Sequence, residues 1–404
     1  MKSFTGFFPE RKELRMPSLA GSAICVGCSA CASACAVGAI TMIHDKYGFL
    51  YPNIDKKKCI SCDVCMRVCP LLSDIAINKE QPKCYVAKSK NKYWLAHSSS
   101  GGMFSEFAEK VISKGGVVFG CVMRGHRACH IKAEDMSAIS PMRGSKYVQS
   151  ELSGIYRECR KQLDSKRQVL FTGTPCQVAA LLAFLGKDYP NLLTVGLICH
   201  GVASPKALMN YIEEEECLHK SSIKTIEFRN KSERGGESSL VISFKNGERK
   251  VEGTFGNVYM RSFLEALSYR ESCFECKFRS GRGGADVIIG DFWGVEKVAP
   301  KFPCQNGVSA VIVYTQKGAN AFEKLDVKKE ACEYEDVAKD NYNLDHNSKK
   351  KGVLRWLFLL SVRNQVSIYE FYKWYDRFTY LRHCIRRLPN AIAKRVLRLR
   401  CLSI

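Results

Sequence analysis

The chain has 404 residues, 46% of them hydrophobic, and a formal net charge of +22. That apolar content suits two or three packed domains and argues against a disordered chain. No apolar run approaches the ~20 residues of a membrane span; the best, Leu354 to Val362, is short and holds Arg355. With 21 cysteines and no export-signal pattern in Met1 to Leu14, the expectation is a reducing, cytoplasmic setting in which thiols hold metals rather than form cross-links.

Residues 1–22 carry Gly, Pro and mixed charge without periodicity and read as a leader. Residues 23–80 hold two runs, Cys25-x2-Cys28-x2-Cys31-x3-Cys35 and Cys59-x2-Cys62-x2-Cys65-x3-Cys69-Pro70. This is the ligand pattern of a bacterial two-cluster ferredoxin, in which the fourth cysteine of each run serves the other cluster. One [4Fe-4S] cluster is therefore expected on Cys25, Cys28, Cys31 and Cys69, and a second on Cys59, Cys62, Cys65 and Cys35. Zinc sites pair two C-x2-C units around one ion and leave a third equally spaced cysteine without a role. Ala36 stands after Cys35 where the pattern has proline, a departure that weakens the turn but removes no ligand. Between the runs, Ile40–His44 and Gly48–Pro52 flank Asp45-Lys-Tyr-Gly48 and read as a hairpin.

After a linker at Glu80-Gln-Pro82, residues 83–345 alternate strand and helix signals. Strands are expected at Tyr85–Lys88, Gly115–Val122, Val169–Thr172, Leu193–Cys199, Ile223–Arg229, Ser239–Phe244, Ala285–Ile289 and Val308–Thr315. Helices are expected at Met103–Ser113, Leu152–Leu163 and Gln177–Leu185, with Pro175 in the turn before the last. The expected fold class is α+β: an N-terminal two-[4Fe-4S] ferredoxin-like domain, a mixed α/β domain and a basic helical C-terminal tail.

Several motifs of the large region carry chemistry. Ser98-Ser99-Ser100-Gly101-Gly102 opens a helix, where free N–H groups favour an anion, although a serine N-cap explains such a turn as well. Cys176, Cys199, Cys273 and Cys276 fall at strand ends or turns; on spacing alone, zinc would fit them as well as a cluster. The other nine cysteines have no ligand spacing and read as packing residues.

With Arg143-Gly-Ser-Lys-Tyr-Val-Gln149, Thr172-Gly-Thr-Pro-Cys-Gln177, Cys199-His-Gly and Gly290-Asp-Phe-Trp-Gly, the chain resembles the coenzyme F420 hydrogenase/dehydrogenase beta-subunit family over residues 23–330. The resemblance implies FAD and a third [4Fe-4S] cluster in the large domain, with electrons passing between iron–sulfur centres and an organic substrate at the flavin. It implies that Ser99, Ser100, Gly101 and Gly102 cradle the FAD phosphates, that Lys146, Thr172, Thr174 and His200 line the flavin pocket, and that Cys176, Cys199, Cys273 and Cys276 hold the third cluster. Lys146 and His200 are the catalytic candidates. Reduced ferredoxin or a similar carrier is the expected electron donor, and surface-polysaccharide biosynthesis is one expected setting. The competing expectation is a non-catalytic subunit that hands electrons to a partner enzyme.

Residues 346–404 hold fourteen Lys and Arg against Glu370 and Asp376. Ile368, Phe371, Tyr375, Phe378, Ile385 and Leu388 recur at helical intervals, and Ala391 to Leu402 resumes the pattern after Pro389. Such a helix suits an anionic membrane surface, hence a peripheral place at the inner membrane, or else packs its apolar stripe on the large domain. No nucleic-acid recognition motif accompanies the charge.

Overall fold

The computed structural model describes residues 16–73, 81–231, 233 and 238–386, the last six of these by backbone only. Fourteen strands form three sheets among the described residues. Strands β1 (Ile40–His44) and β2 (Leu50–Ile54) make the expected antiparallel hairpin between the two cysteine runs. The Asp45 carboxylate closes its turn by accepting from the N–H groups of Tyr47 at 2.9 Å and Phe49 at 2.8 Å.

The large sheet is built from β3 (Lys83–Ser89), β4 (Val117–Arg124), β5 (Arg127–Ala133), β6 (Ser150–Glu151), β7 (Val169–Gly173), β8 (Leu192–Leu197), β12 (Val287–Asp291), β13 (Ser309–Val313) and β14 (Val327–Cys332). Its order is β14-β3-β13-β12-β8-β7-β4-β5-β6. The central strands β12, β8, β7 and β4 run parallel, and their near-continuous apolar sequences fit a sheet covered on both faces. A smaller antiparallel sheet of β9 (Ile223–Asn230), β10 (Ser239–Phe244) and β11 (Arg249–Gly253) is inserted between β8 and β12. The strands missing from the sequence reading, β5, β6, β11 and β14, lie at or next to the edges of these sheets, where polar and apolar residues mix.

Two expectations about local structure change. Pro175 is the first residue of the helix Pro175–Leu185 rather than part of the preceding turn, because its missing N–H is one that a helix start leaves unbonded anyway. The helix Met103–Ile112 is capped by Gly102, in the left-handed region at φ 85°, rather than by a serine.

The division expected between residues 345 and 346 is not a break in packing. Helices Gly352–Arg363 and Ile368–Arg386 bury Phe358, Leu359, Val362, Ile368, Phe371 and Tyr372 in one cluster with Tyr211, Phe244, Tyr259 and Phe263 of the large region. Of the expected stripe, Ile368 and Phe371 thus pack inward and Tyr375 lies against the same cluster, whereas Phe378, farther along the helix, is exposed. The side chains of residues 381–386, among them Ile385, and all residues from 387 on, with Leu388 and the segment Ala391 to Leu402, lie outside the described residues. So do residues 1–15 of the leader and residue 80 of the linker. Among the described residues no helix is long and apolar enough to cross a membrane.

Candidate functional site

The two N-terminal runs fold into matched loops. Gly27 and Ser29 in the first have φ of 64° and 66°, and Ser61 and Asp63, at the same places in the second, have 52° and 55°. Three of these four carry side chains, so each run holds costly left-handed backbone at the same steps. That shared turn swings successive cysteines to one side, as a cubane requires.

Cys28 interacts electrostatically with Cys31, Cys25 and Cys69, the first ligand set expected, while Cys31 interacts with Cys25, Cys69 and also Cys65 of the second set. Burial and these neighbours push the Cys28 thiol well up and that of Cys31 to about 12. Cys65, raised by burial, neighbours Cys62 and Cys59, and Cys62 is exposed. Cys35 Sγ accepts a hydrogen bond from Ala39 N at 3.2 Å. The second set therefore lies toward solvent and the first toward the large domain.

The N-terminal unit is fastened down by two arginines. Arg157 donates to the carbonyls of Ser33 at 2.5 Å, Ala32 at 3.2 Å and Cys35 at 3.3 Å, at the C-terminal end of the helix Ala30–Ala34. Arg270, wholly buried, donates to Cys25 O at 2.8 Å, Leu50 O at 2.9 Å and Gln149 Oε1 at 2.9 Å. Gln149 in turn donates to Val26 O at 3.0 Å. At Gly27 a Cβ would meet Gln149 Nε2 at 2.7 Å and Arg270 Nη1 at 2.8 Å, so only glycine admits the clamp.

The other four cysteines converge at the carboxyl ends of the parallel strands. Cys176 opens the helix after β7 and Cys199 follows β8, the edge where open α/β sheets bind ligands. Cys273 and Cys276 arrive on the 3₁₀ turn Glu271–Glu275. All four line one cavity together with Pro175, Ile198 and Arg279, and Val26 of the N-terminal unit lines it too. Burial, then Cys276 and Cys199, drives the Cys176 thiol far up; burial, then Cys273 and Cys276, brings Cys199 to about 12. Burial raises Cys273 to about 11. Buried thiols that raise one another in this way ionise only beside a strong cationic centre, so the donor chemistry fits an iron–sulfur cluster in both regions. Among the described residues no three such ligands close on a single metal ion. Tyr156, wholly buried, lies within electrostatic range of Cys28, Cys31, Cys159 and Cys176, and its hydroxyl donates to Gln177 O at 3.3 Å.

The residues assigned to a flavin divide into two groups. Ser99 Oγ accepts from Ser145 N at 2.8 Å and meets Ser145 Oγ at 3.0 Å, while Ser100 Oγ donates to Val308 O at 2.8 Å. A Cβ on Gly101 would meet Ala87 O at 2.6 Å and Ser309 N at 2.7 Å, so this glycine serves the packing of the turn on β3 and β13. What the turn offers an anion is the helix start at Gly102, which no side chain caps. Lys231, brought by burial to about 8, donates to Ser100 O at 2.7 Å, and Arg229 pairs with Asp291. His200, lowered by burial and then by Arg279, feels Asp291 and Arg229. These groups meet at the end of β12.

Lys146, Thr172 and Thr174 stand apart from them. The Lys146 ammonium, brought to about 8 by burial, donates to the carbonyls of Pro141, Met142, Arg143 and Gly144 at 2.7–3.1 Å and closes its own turn. Thr172 Oγ1 donates to Phe119 O at 3.2 Å, and Thr174 Oγ1 lies 3.2 Å from Cys176 Sγ. Thr172 and Thr174 belong with a buried relay absent from the sequence reading. His130 Nε2 meets Thr172 O at 3.0 Å and its Nδ1 meets Ser150 Oγ at 3.1 Å. Gln177 Nε2 donates to Ser150 Oγ at 2.8 Å, and Gln177 Oε1 accepts from Thr174 N at 2.9 Å. No motif surrounds His130 in the sequence; its only signal is an inward place on β5.

Residues 24–71 match the 4Fe-4S dicluster domain, and residues 166–340 match the C terminus of the coenzyme F420 hydrogenase/dehydrogenase beta subunit. Residues 166–340 thus match this beta-subunit family, and an N-terminal 4Fe-4S domain precedes them. The beta-subunit match contains all four cysteines of the deeper cavity, and the dicluster match contains all eight of the N-terminal runs. Among solved structures, a chain of the xenon-derivatized F420-reducing [NiFe] hydrogenase complex from Methanosarcina barkeri is 19% identical. It covers 71% of this chain and 89% of its own length, with a TM-score of 0.43. No curated protein matches. The two matches relate the chain to iron–sulfur electron-transfer subunits, oxidoreductase-like in class.

Proposed function

We propose that this chain is an iron–sulfur flavoprotein oxidoreductase in which the N-terminal clusters exchange electrons with a third [4Fe-4S] cluster on Cys176, Cys199, Cys273 and Cys276, and through it with an organic substrate at FAD. The observation that carries this is the shared cavity: four half-buried cysteines from three separate segments meet there beside Val26, next in sequence to the ligand Cys25. The Arg270 clamp fastens the backbone of Cys25 to the segment that carries Cys273 and Cys276. FAD would supply the step from single electrons to a two-electron substrate. On this reading the uncapped start of the helix Met103–Ile112 faces its phosphates, and Lys231 and Arg229 bring positive charge to the same end of β12. His200 sits in that group, half-buried and held neutral, where it can hold or pass a proton.

Anaerobic purification with iron, sulfide and flavin measured per chain tests the proposal. About twelve irons, four for each of three clusters, and one FAD are expected. About eight irons and no flavin would leave a dicluster protein with a passenger domain. Turnover of a small-molecule acceptor without a partner protein then separates an enzyme from a subunit that only hands electrons on.

A further inference from the structure

The segment Arg270-Glu-Ser-Cys273-Phe-Glu-Cys276-Lys-Phe-Arg279 sets an arginine three residues before one cysteine and three residues after the next. Both arginines are buried, Arg270 fully and Arg279 to 7% exposure. Buried cations are normally paired with an anion, because an isolated charge is costly in a water-poor interior. Neither is paired here. The acceptors around Arg270 are Cys25 O, Leu50 O and Gln149 Oε1, and the guanidinium lies 4.1 Å from the centre of the Tyr51 ring. Arg279 donates to Cys199 O at 2.9 Å, His200 O at 3.3 Å, Asn347 Oδ1 at 2.7 Å and Asn343 O. All of these acceptors are neutral, and among the described residues no carboxylate forms an ion pair with either arginine.

Both unpaired charges act on one site, Arg279 from the lining of its cavity. Arg270 holds the backbone of Cys25, Arg279 holds that of Cys199, and both act electrostatically on Cys273. We propose that Arg270 and Arg279 are the fixed counter-charges of the cluster on Cys176, Cys199, Cys273 and Cys276, that they raise its reduction potential, and that they thereby make it the inner acceptor for electrons from the cluster at Cys25. This rests on the reading that the quartet holds a [4Fe-4S] cluster.

A cubane with four thiolates carries roughly −2 and becomes more negative by one on reduction. A fixed cation beside it favours the reduced form, and more strongly where water is excluded. In the transfer the cluster at Cys25 is oxidised by one electron and the inner cluster is reduced by one. No bond is made or broken, and no proton moves. Arg270, between the two sets of thiols, acts on both clusters, whereas Arg279 acts chiefly on the inner one. They are positioning residues, since they touch ligand backbones rather than substrate.

The test is a redox titration of the anaerobically purified full chain, followed by electron paramagnetic resonance, with Cys276→Ala used to identify the signal of the inner cluster. Arg279→Gln should shift the reduction equilibrium of that signal at least tenfold toward the oxidised form, ~59 mV for one electron, at unchanged iron content. Arg279→Lys, which keeps the charge, should stay close to wild type. Arg270→Gln should move both the inner signal and that of the cluster at Cys25. Unshifted potentials in both Gln variants, or equal shifts in Gln and Lys variants, would overturn the proposal. If a Gln variant loses the inner iron and its Lys counterpart keeps it, the need for charge is upheld; if both lose it, the role is structural and the proposal fails. A wild-type chain with no signal assignable through Cys276→Ala defeats the quartet reading instead, a distinct result.

Discussion

The eight N-terminal cysteines and the deeper quartet are built in opposite ways. Each N-terminal run carries its ligands on one short loop, shaped by left-handed residues at fixed steps, so local backbone does most of the positioning. The quartet takes Cys176 and Cys199 from the ends of two parallel strands and Cys273 and Cys276 from a turn beyond an inserted sheet, so only the assembled domain brings them together. A loop-built site should survive damage to the rest of the fold, whereas a sheet-built site should not.

The largest expected effect comes from removing residues 346–404. Asn347 Oδ1 accepts from Cys276 N at 3.1 Å and from Arg279 Nε at 2.7 Å, and the helices that follow bury six large side chains in the core. At ~1.5–3 kcal/mol for each fully buried apolar side chain, the large domain should lose its cooperative unfolding transition in calorimetry, while about eight irons stay with the N-terminal unit. Loss of all iron in this truncation would break the contrast between the two sites.

A narrower version replaces one ligand in each region. Cys276→Ala should abolish acceptor reduction and remove about four irons, beyond the ~10–100-fold that losing a mere supporting partner costs. Cys62→Ala should leave the quartet's spectrum intact and slow only the entry of electrons. Equal loss of both spectra in either variant would mean that the sites fold as one.

The same contrast explains what was legible in the sequence. Ligand spacing encodes a loop-built site directly, so the eight N-terminal cysteines stand out from their spacing, inside the stretch that matches a 4Fe-4S dicluster domain. The quartet was reachable only through resemblance, because no local pattern ties Cys176 to Cys273. Arg270 and Arg279 flank Cys273 and Cys276 at regular steps, but an arginine in a sequence looks like surface charge until its burial is seen. Ser99, Ser100 and Gly101 read as a phosphate cradle, yet their hydroxyls and missing side chain are used in holding the turn to β13 and to Ser145. The expected boundary at 346 followed a shift in charge composition, which says nothing about where apolar stripes pack.

Docking imposes a constraint that the repeat itself does not have, and one pair of substitutions measures it. Gly27 and Ser61 occupy the same step of the two runs, but only Gly27 faces the Arg270 clamp. Gly27→Ser should cost about 3 kcal/mol, from left-handed strain plus overpacking against Arg270 and Gln149. Ser61→Gly should change stability by less than ~1 kcal/mol, as strain relief offsets added chain freedom. Denaturant midpoints compare the two, and equal effects would remove the clamp from the account.

The smallest expected effect concerns acid, and it separates the regions because His130 supports only the quartet side. Burial holds this histidine down at about 4, against 6.5 in the unfolded chain. Nε2–H donates to Thr172 O, so Nδ1 must accept from Ser150, whose oxygen already accepts from Gln177. A second ring proton would point at that oxygen and loosen the Gln177–Thr174 link at the start of the helix bearing Cys176. Between these two values the unfolded state binds more protons, so stability rises with pH there and is lost on acidification, levelling off below about pH 4. At 1.36 kcal/mol per unit, the large domain should lose about 2 kcal/mol between about pH 6 and pH 4.5. In His130→Asn, urea midpoints over that window should lose this slope; an unchanged slope would place the acid sensitivity elsewhere.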